Sequence, residues 1–271
     1  MNNSQSTQPG QLERSFTLEP IGEGHYQVIT DPNYESGNGM YGGWTAALLL
    51  KAAIEDGRSS GFVSAITVNY VSKVPSAKTL EIRVSLLGGG KTVTHLQVDL
   101  INPESLQPHA MATVLFSSRS QSSSFLEKDM PANTAATDAK VFVPPGAFGE
   151  QMDIMPVSGY PPVNQANTQS MSWVRERSCR QLDAVQLAFL ADMYAPRVWF
   201  TKSAPCRMAT VTLTAYFFAT ASELTSVADD YILIEAIGTR GNNSAYGAKA
   251  NLWSRAGALL ATTEQLAWFA D

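Results

Sequence analysis

Three side chains able to do chemistry stand in apolar surroundings in the last third of the chain. Asp192 lies in LAFLADMYAP, a helix-like run where an acid near the C-terminal end opposes the helix dipole, so it does little for its own element. A carboxylate there could take up a proton. Gln265 interrupts the apolar stretch GALLATTEQLAWF, and a buried amide needs partners for its two donors and for its carbonyl oxygen. Strand alternation places Gln265 with Thr263 and Ala267, and Glu264 with Thr262 and Leu266, but leaves open which set points inward. Thr210 begins a stripe with Thr212 and Thr214 on a strand-like segment. Gly42 and Gly43 stand just before a helix expected from Trp44, where unpaired backbone N–H groups can be approached closely.

Other reactive types are sparse. His25, His95 and His109 are the only histidines, and none follows an aspartate at short spacing. Cys179 and Cys206 show neither CxxC nor Cys/His spacing, which reads as two reduced core thiols without a zinc site. No GxSxG elbow occurs. The glycines from Gly88 to Lys91 lack Walker spacing and fall in a strand hairpin. No cofactor and no metal are therefore expected. A net charge of -5, a pI near 5.3 and the lack of a Lys/Arg-rich run argue against nucleic acid as a partner.

The elements that must position these residues occur twice. Residues 1–14 have no apolar stretch and read as a disordered tail, neither signal peptide nor anchor. HYQVITDP reads as a strand, and WTAALLLKAAIEDG as a helix closed by Gly57. FVSAITVNYVSK, TLEIRVSLLGGGKTVTHLQVDLI and HAMATVLFSS then read as strands of a four-strand antiparallel meander, completing a domain over residues 15–118. Residues 119–168 have the Ser, Pro, Ala and Asn content of a linker. From residue 169 to 271 the order returns: SMSWVRER as strand, LDAVQLAFLADMYAP as helix, then strands to the end. No apolar run approaches the roughly 20 residues of a membrane-spanning helix, and a cytoplasmic location is expected.

A helix followed by strands, twice over, implies a duplicated α+β unit rather than a doubly wound parallel sheet. An amphipathic helix must bury its stripe, so each antiparallel sheet should wrap its own long helix. That is the layout of two tandem hotdog units.

Particular stretches also resemble the acyl-CoA thioesterase II family and its thioesterase-like relatives. MYGGWTAALLL is similar to the family's apolar-GG opening of the first helix, and LDAVQLAFLAD to its second helix. ATVTLTAYFF is similar to a strand after that helix, and AGALLATTEQ to the family's ending. The resemblance implies hydrolysis of an acyl-CoA or acyl carrier protein thioester. It implies Asp192 as the base, with Thr210 and Gln265 orienting the attacking water. A thioester is electrophilic and its thiolate leaves readily, so one carboxylate can suffice. The oxyanion would be met by a helix N-terminus near Gly42 and Gly43.

The chain departs from the family pattern in two places. Trp44 follows the glycine pair where thioesterase II has Gln, and is expected to reshape the acyl site. NYVSKVP replaces an HSYFLRP-like strand, which leaves Lys73 to meet a phosphate of coenzyme A. Thr113 stands near where the second half has Gln265, and nothing in the first half corresponds to Asp192, so one site per chain is expected. Two rivals remain: a hotdog hydratase or dehydratase, and a non-catalytic acyl-CoA binder. Two units in one chain can mimic a dimer of single units, while exposed sheet edges leave a homo-oligomer open.

Overall fold

The computed structural model describes residues 10–59, 61–120, 122–138 and 143–270. Its helices are α1 (Gln11–Ser15), α2 (Gly42–Glu55), α3 (Ala184–Leu190) and α4 (Ala221–Val227). The first half carries strands β1 (Glu19–Gly22), β2 (His25–Ile29), β3 (Glu35–Ser36), β4 (Gly39–Met40), β5 (Phe62–Tyr70), β6 (Thr79–Gly89), β7 (Val93–Ile101) and β8 (Pro108–Ser117). The second carries β9 (Met152–Ser158), β10 (Ser170–Glu176), β11 (Met208–Phe217), β12 (Ile232–Asn242), β13 (Ala245–Trp253) and β14 (Leu259–Phe269).

The Ala- and Leu-rich stretch after Tyr41 forms α2, and Gly57, at φ +76°, lets the chain turn away beyond its end. From Gly43 to Leu50 every α2 side chain is buried. A helix that is apolar all round must be enclosed, and the sheet and α3 enclose it. The counterpart α3 has 7 residues against 14 for α2, with the Asp183 side chain accepting from the Gln186 N–H at its start. The expected helix through Asp192 is therefore shorter than its sequence run. It ends at Leu190, leaving Asp192 in the turn that follows.

All strands except β3 and β4 join one antiparallel sheet in the order β1-β2-β6-β7-β8-β5-β11-β14-β13-β12-β10-β9. The expected meander needs correction, because β5 pairs with β8 and not with β6. Placing β5 outside the β6-β7-β8 meander leaves its other edge free for β11, and that pairing unites the halves. Thr67 and Thr214 share a hydroxyl contact of 3.1 Å across this seam. Arg119 closes one end of it, donating to the carbonyls of Phe217, Phe218, Ala219 and Val63.

Two segments read as unstructured are partly ordered. Residues 1–9 of the expected tail lie outside the described residues, but α1 begins within the rest of it and buries Leu12 in the core. Within residues 119–168, Ala147–Gln151 forms a 3-10 turn and β9 pairs along β10. The Trp173 indole also donates to Thr134 O at 2.7 Å. Pro and Ser content discourages long regular elements, yet it does not stop an irregular segment from packing. Helix α4 was not expected; its signal was the capping box Thr220 to Glu223. No helix among the described residues is long and apolar enough to cross a membrane.

Candidate active site

Gln265 points inward. Along β14, Thr263, Gln265 and Ala267 are buried while Glu264, Leu266 and Trp268 are exposed, which settles the choice that alternation left open. Its Nε2 donates to Asp192 Oδ1 at 2.5 Å. The carboxylate also accepts the backbone N–H of Gly43. Burial pushes the Asp192 carboxyl up to about 7, an effect that these two hydrogen bonds only partly offset.

The glycine pair forms the first turn of α2 rather than the approach to it, correcting a helix start at Trp44. A Cβ on Gly43 would lie 2.2 Å from Phe189 O, and one on Gly42 would lie 2.6 Å from Asp192 Oδ2. The start of α2 thus meets the end of α3 at backbone contact distance, and only residues without a side chain permit it. Tyr41 locks this meeting by donating to Phe189 O at 3.0 Å and stacking on Phe148 at 4.3 Å. Tyr70 donates to Gly42 O at 2.8 Å. Burial and the Asp192 charge both push the phenols of Tyr41, Tyr70 and Tyr194 upward, so they stay protonated.

Thr210 reaches the same space by a break in strand alternation. It pairs with Ala267, whereas Thr212 pairs with Leu266, so Val211 is the extra residue of a β-bulge. Partners across a ladder share a sheet face. Thr210 therefore lies with inward Ala267, while Thr212 and Thr214 lie with outward Leu266 and Glu264. The threonine stripe read from the sequence is split between the two faces.

These groups line a cavity of about 540 Å³ between the halves. Asp192, Gln265, Thr210, Gly42 and Lys73 all border it, with Lys73 and Arg207 exposed on the side that opens to solvent. Trp44 does not. It is fully buried, its indole donating to Ser15 Oγ at 2.9 Å and its ring 6.0 Å from Phe16. The expectation that it shapes the acyl site is corrected, since its place on α2 turns it toward α1. The two thiols also differ from expectation: Cys179 is exposed, and Cys206 borders the cavity. The sequence reading missed Tyr41, Tyr70, Tyr194 and Arg207, although MYGGWTAALLL, NYVSKVP and LAFLADMYAP contain the three tyrosines. Thr113 is exposed on β8 and borders no part of this cavity. Among the described residues no cluster of three His, Cys, Asp or Glu could hold a metal.

Residues 30–117 match the family model of the acyl-CoA thioesterase N-terminal domain, and residues 127–269 match that of the C-terminal domain. The chain belongs to the acyl-CoA thioesterase family. Its reaction class is thioester hydrolysis, and its architecture is the tandem hotdog. A conserved protein of unknown function with a hot dog fold from Alicyclobacillus acidocaldarius superposes with a TM-score of 0.88 at 26% identity, covering 96% of this chain and 98% of the other. A candidate thioesterase II from Thermobifida fusca gives 0.82 at 18% identity, covering 97% and 98%. An acyl-CoA thioesterase II from Mycobacterium marinum gives 0.74 at 16% identity, covering 96% and 98%. No curated protein matches the chain.

Proposed function

We propose that this thioesterase cleaves an acyl-CoA thioester by direct attack of water, with Asp192 as general base. The observation that carries this reading is the enclosed Asp192 carboxyl, poised near 7 and held by Gln265 in the cavity between the halves. A base near the working pH combines an adequate ionised fraction with useful proton affinity. The water would sit against Asp192 and be oriented by the Gln265 amide and the Thr210 hydroxyl, which lowers the entropic cost of attack. Because Gly43 N–H already serves Asp192, the oxyanion would fall to the remaining N–H groups of the first turn of α2. Gly42 keeps the space beside them open. The two halves then contribute different parts: α2 the oxyanion end, and the turn after α3 with β11 and β14 the water-activating groups.

Lys73 and Arg207, on the open side of the cavity, suit the phosphates of coenzyme A. A hydratase needs a histidine beside its acid, and no histidine borders the cavity. His25 is paired with Glu81, and His109 with Ser72.

The test is thiol release from a panel of acyl-CoAs and acyl carrier protein thioesters, comparing the protein with Asp192→Asn. A loss of roughly 10² to 10⁴ in kcat in a folded variant is expected for removal of a general base. Acyl-CoA binding without thiol release from any member would overturn the reading in favour of a binder.

A further inference from the structure

The inner end of the cavity is polar where a plain hydrocarbon chain would want it apolar. Its wall along β10 runs from Val174, opposite Ile154 of β9, to Ser172, opposite Pro156. Ser170, the next inward position, is already taken, because its hydroxyl accepts from Arg197 Nη1 at 2.9 Å. Tyr160 closes the end by donating to Ser172 Oγ at 3.1 Å. Ser172 is 2% exposed, and its own hydroxyl proton has no acceptor among the described residues. A hydroxyl that accepts one bond still has one to give.

Behind this pair sits Arg197, itself 1% exposed. It donates to Ala195 O, Thr168 O, Ser170 Oγ and Ala236 O, and stacks over Phe200 at 4.2 Å and Tyr194 at 5.3 Å. Among the described residues no carboxylate pairs with it, and burial pushes its guanidinium down to about 10, still charged at neutral pH; Tyr194, Tyr160 and Tyr246 around it all border the cavity. A buried guanidinium satisfied only by neutral oxygens keeps its full charge, and a site beside it favours electron-rich atoms.

We propose that this end is a subsite for acyl chains bearing a hydrogen-bond-accepting oxygen beyond the thioester, with Ser172 as donor, Tyr160 positioning Ser172, and Arg197 supplying a positive field. The proposal rests on the thioesterase reading and narrows its substrate class.

The experiment compares kcat/KM for matched acyl-CoAs of equal chain length, unsubstituted or carrying a distal keto, hydroxyl or carboxylate oxygen. An oxygen that meets the Ser172 donor should raise kcat/KM by about tenfold over the unsubstituted chain, the scale of one hydrogen bond to a buried donor. Ser172→Ala and Tyr160→Phe should bring that ratio down toward one. A purely structural role would lower all substrates together and leave the ratio intact, which would overturn the proposal, as would a preference for the unsubstituted chain. A carboxylate favoured over a keto group supports the Arg197 field; equal rates for the two overturn that part and leave the Ser172 bond. The same pairs measured as Kd on Asp192→Asn read the subsite without turnover. Hydrolysis without preference therefore defeats the subsite alone, whereas absence of hydrolysis defeats the reading on which it rests.

Discussion

Gln265 Nε2 donates to Asp192 Oδ1 at 2.5 Å across 73 residues of sequence. The last strand and the turn after α3 thereby hold one carboxylate between them, while Gly43 N–H reaches it from the other half of the chain.

That carboxyl predicts a pH profile. Only the ionised form can take a proton, so kcat/KM should fall on the acid side of about pH 7, where the raised Asp192 carboxyl becomes protonated. Gln265→Ala removes a bond that favours the charged form, and should move this limb to higher pH while lowering kcat by up to ~100-fold through loss of orientation. An unshifted limb in the variant would separate Gln265 from the titrating group.

Stability should follow the opposite trend. Below the ordinary carboxylate value of 3.8 the acid is protonated in both folded and unfolded chains. From there up to about 7 the unfolded chain gives up a proton that the folded chain keeps, so the contribution of Asp192 to stability falls as pH rises. Asp192→Asn should therefore be the more stable protein at about pH 8, with the advantage vanishing near pH 4. Denaturant melts at the two pH values read this directly; an equal difference at both would contradict it.

Thr210 and Thr212 look equivalent in sequence and should behave differently. Thr210→Val is expected to lower kcat/KM, because its hydroxyl borders the cavity, whereas Thr212→Val lies on the outward face and should leave turnover near that of the parent. Steady-state kinetics of the two variants provides the check, and equal effects would count against the inward aim of Thr210.

The glycine pair should divide into a packing residue and a site residue. Gly43→Ala drives a methyl into the Phe189 carbonyl and the Tyr41 ring, at a cost of about 1–3 kcal/mol in folding stability. Gly42→Ala meets Asp192 Oδ2 and the Tyr70 hydroxyl instead, so its main loss should be in kcat/KM. Full activity in a folded Gly42→Ala protein would remove Gly42 from the site.

Trp44→Phe tests a residue that the structure takes out of the cavity. Losing the indole bond to Ser15 should cost about 1 kcal/mol of stability with kcat/KM unchanged. A shift in acyl-chain preference would return Trp44 to the acyl site.

Much of this arrangement is local and could be read from residue order. The period-2 pattern of β14, the Ala/Leu content of α2 and the glycine pair announce their elements without help from distant residues, and the repeated order gives the duplication. Asp192 and Gln265 stand out as polar groups in apolar runs. What depended on partners was decided elsewhere. Pairing of β5 with β11 made one sheet of two, and the bulge at Val211 reset the phase of Thr210 through its register against β14. Trp44 found Ser15 and Phe16 at the very start of the domain, where no motif announced a partner. The physical reason is the same in each case: alternation and propensity are set by neighbours a few residues away, whereas register and close backbone approach are set by strands and helices that meet only when the chain has folded.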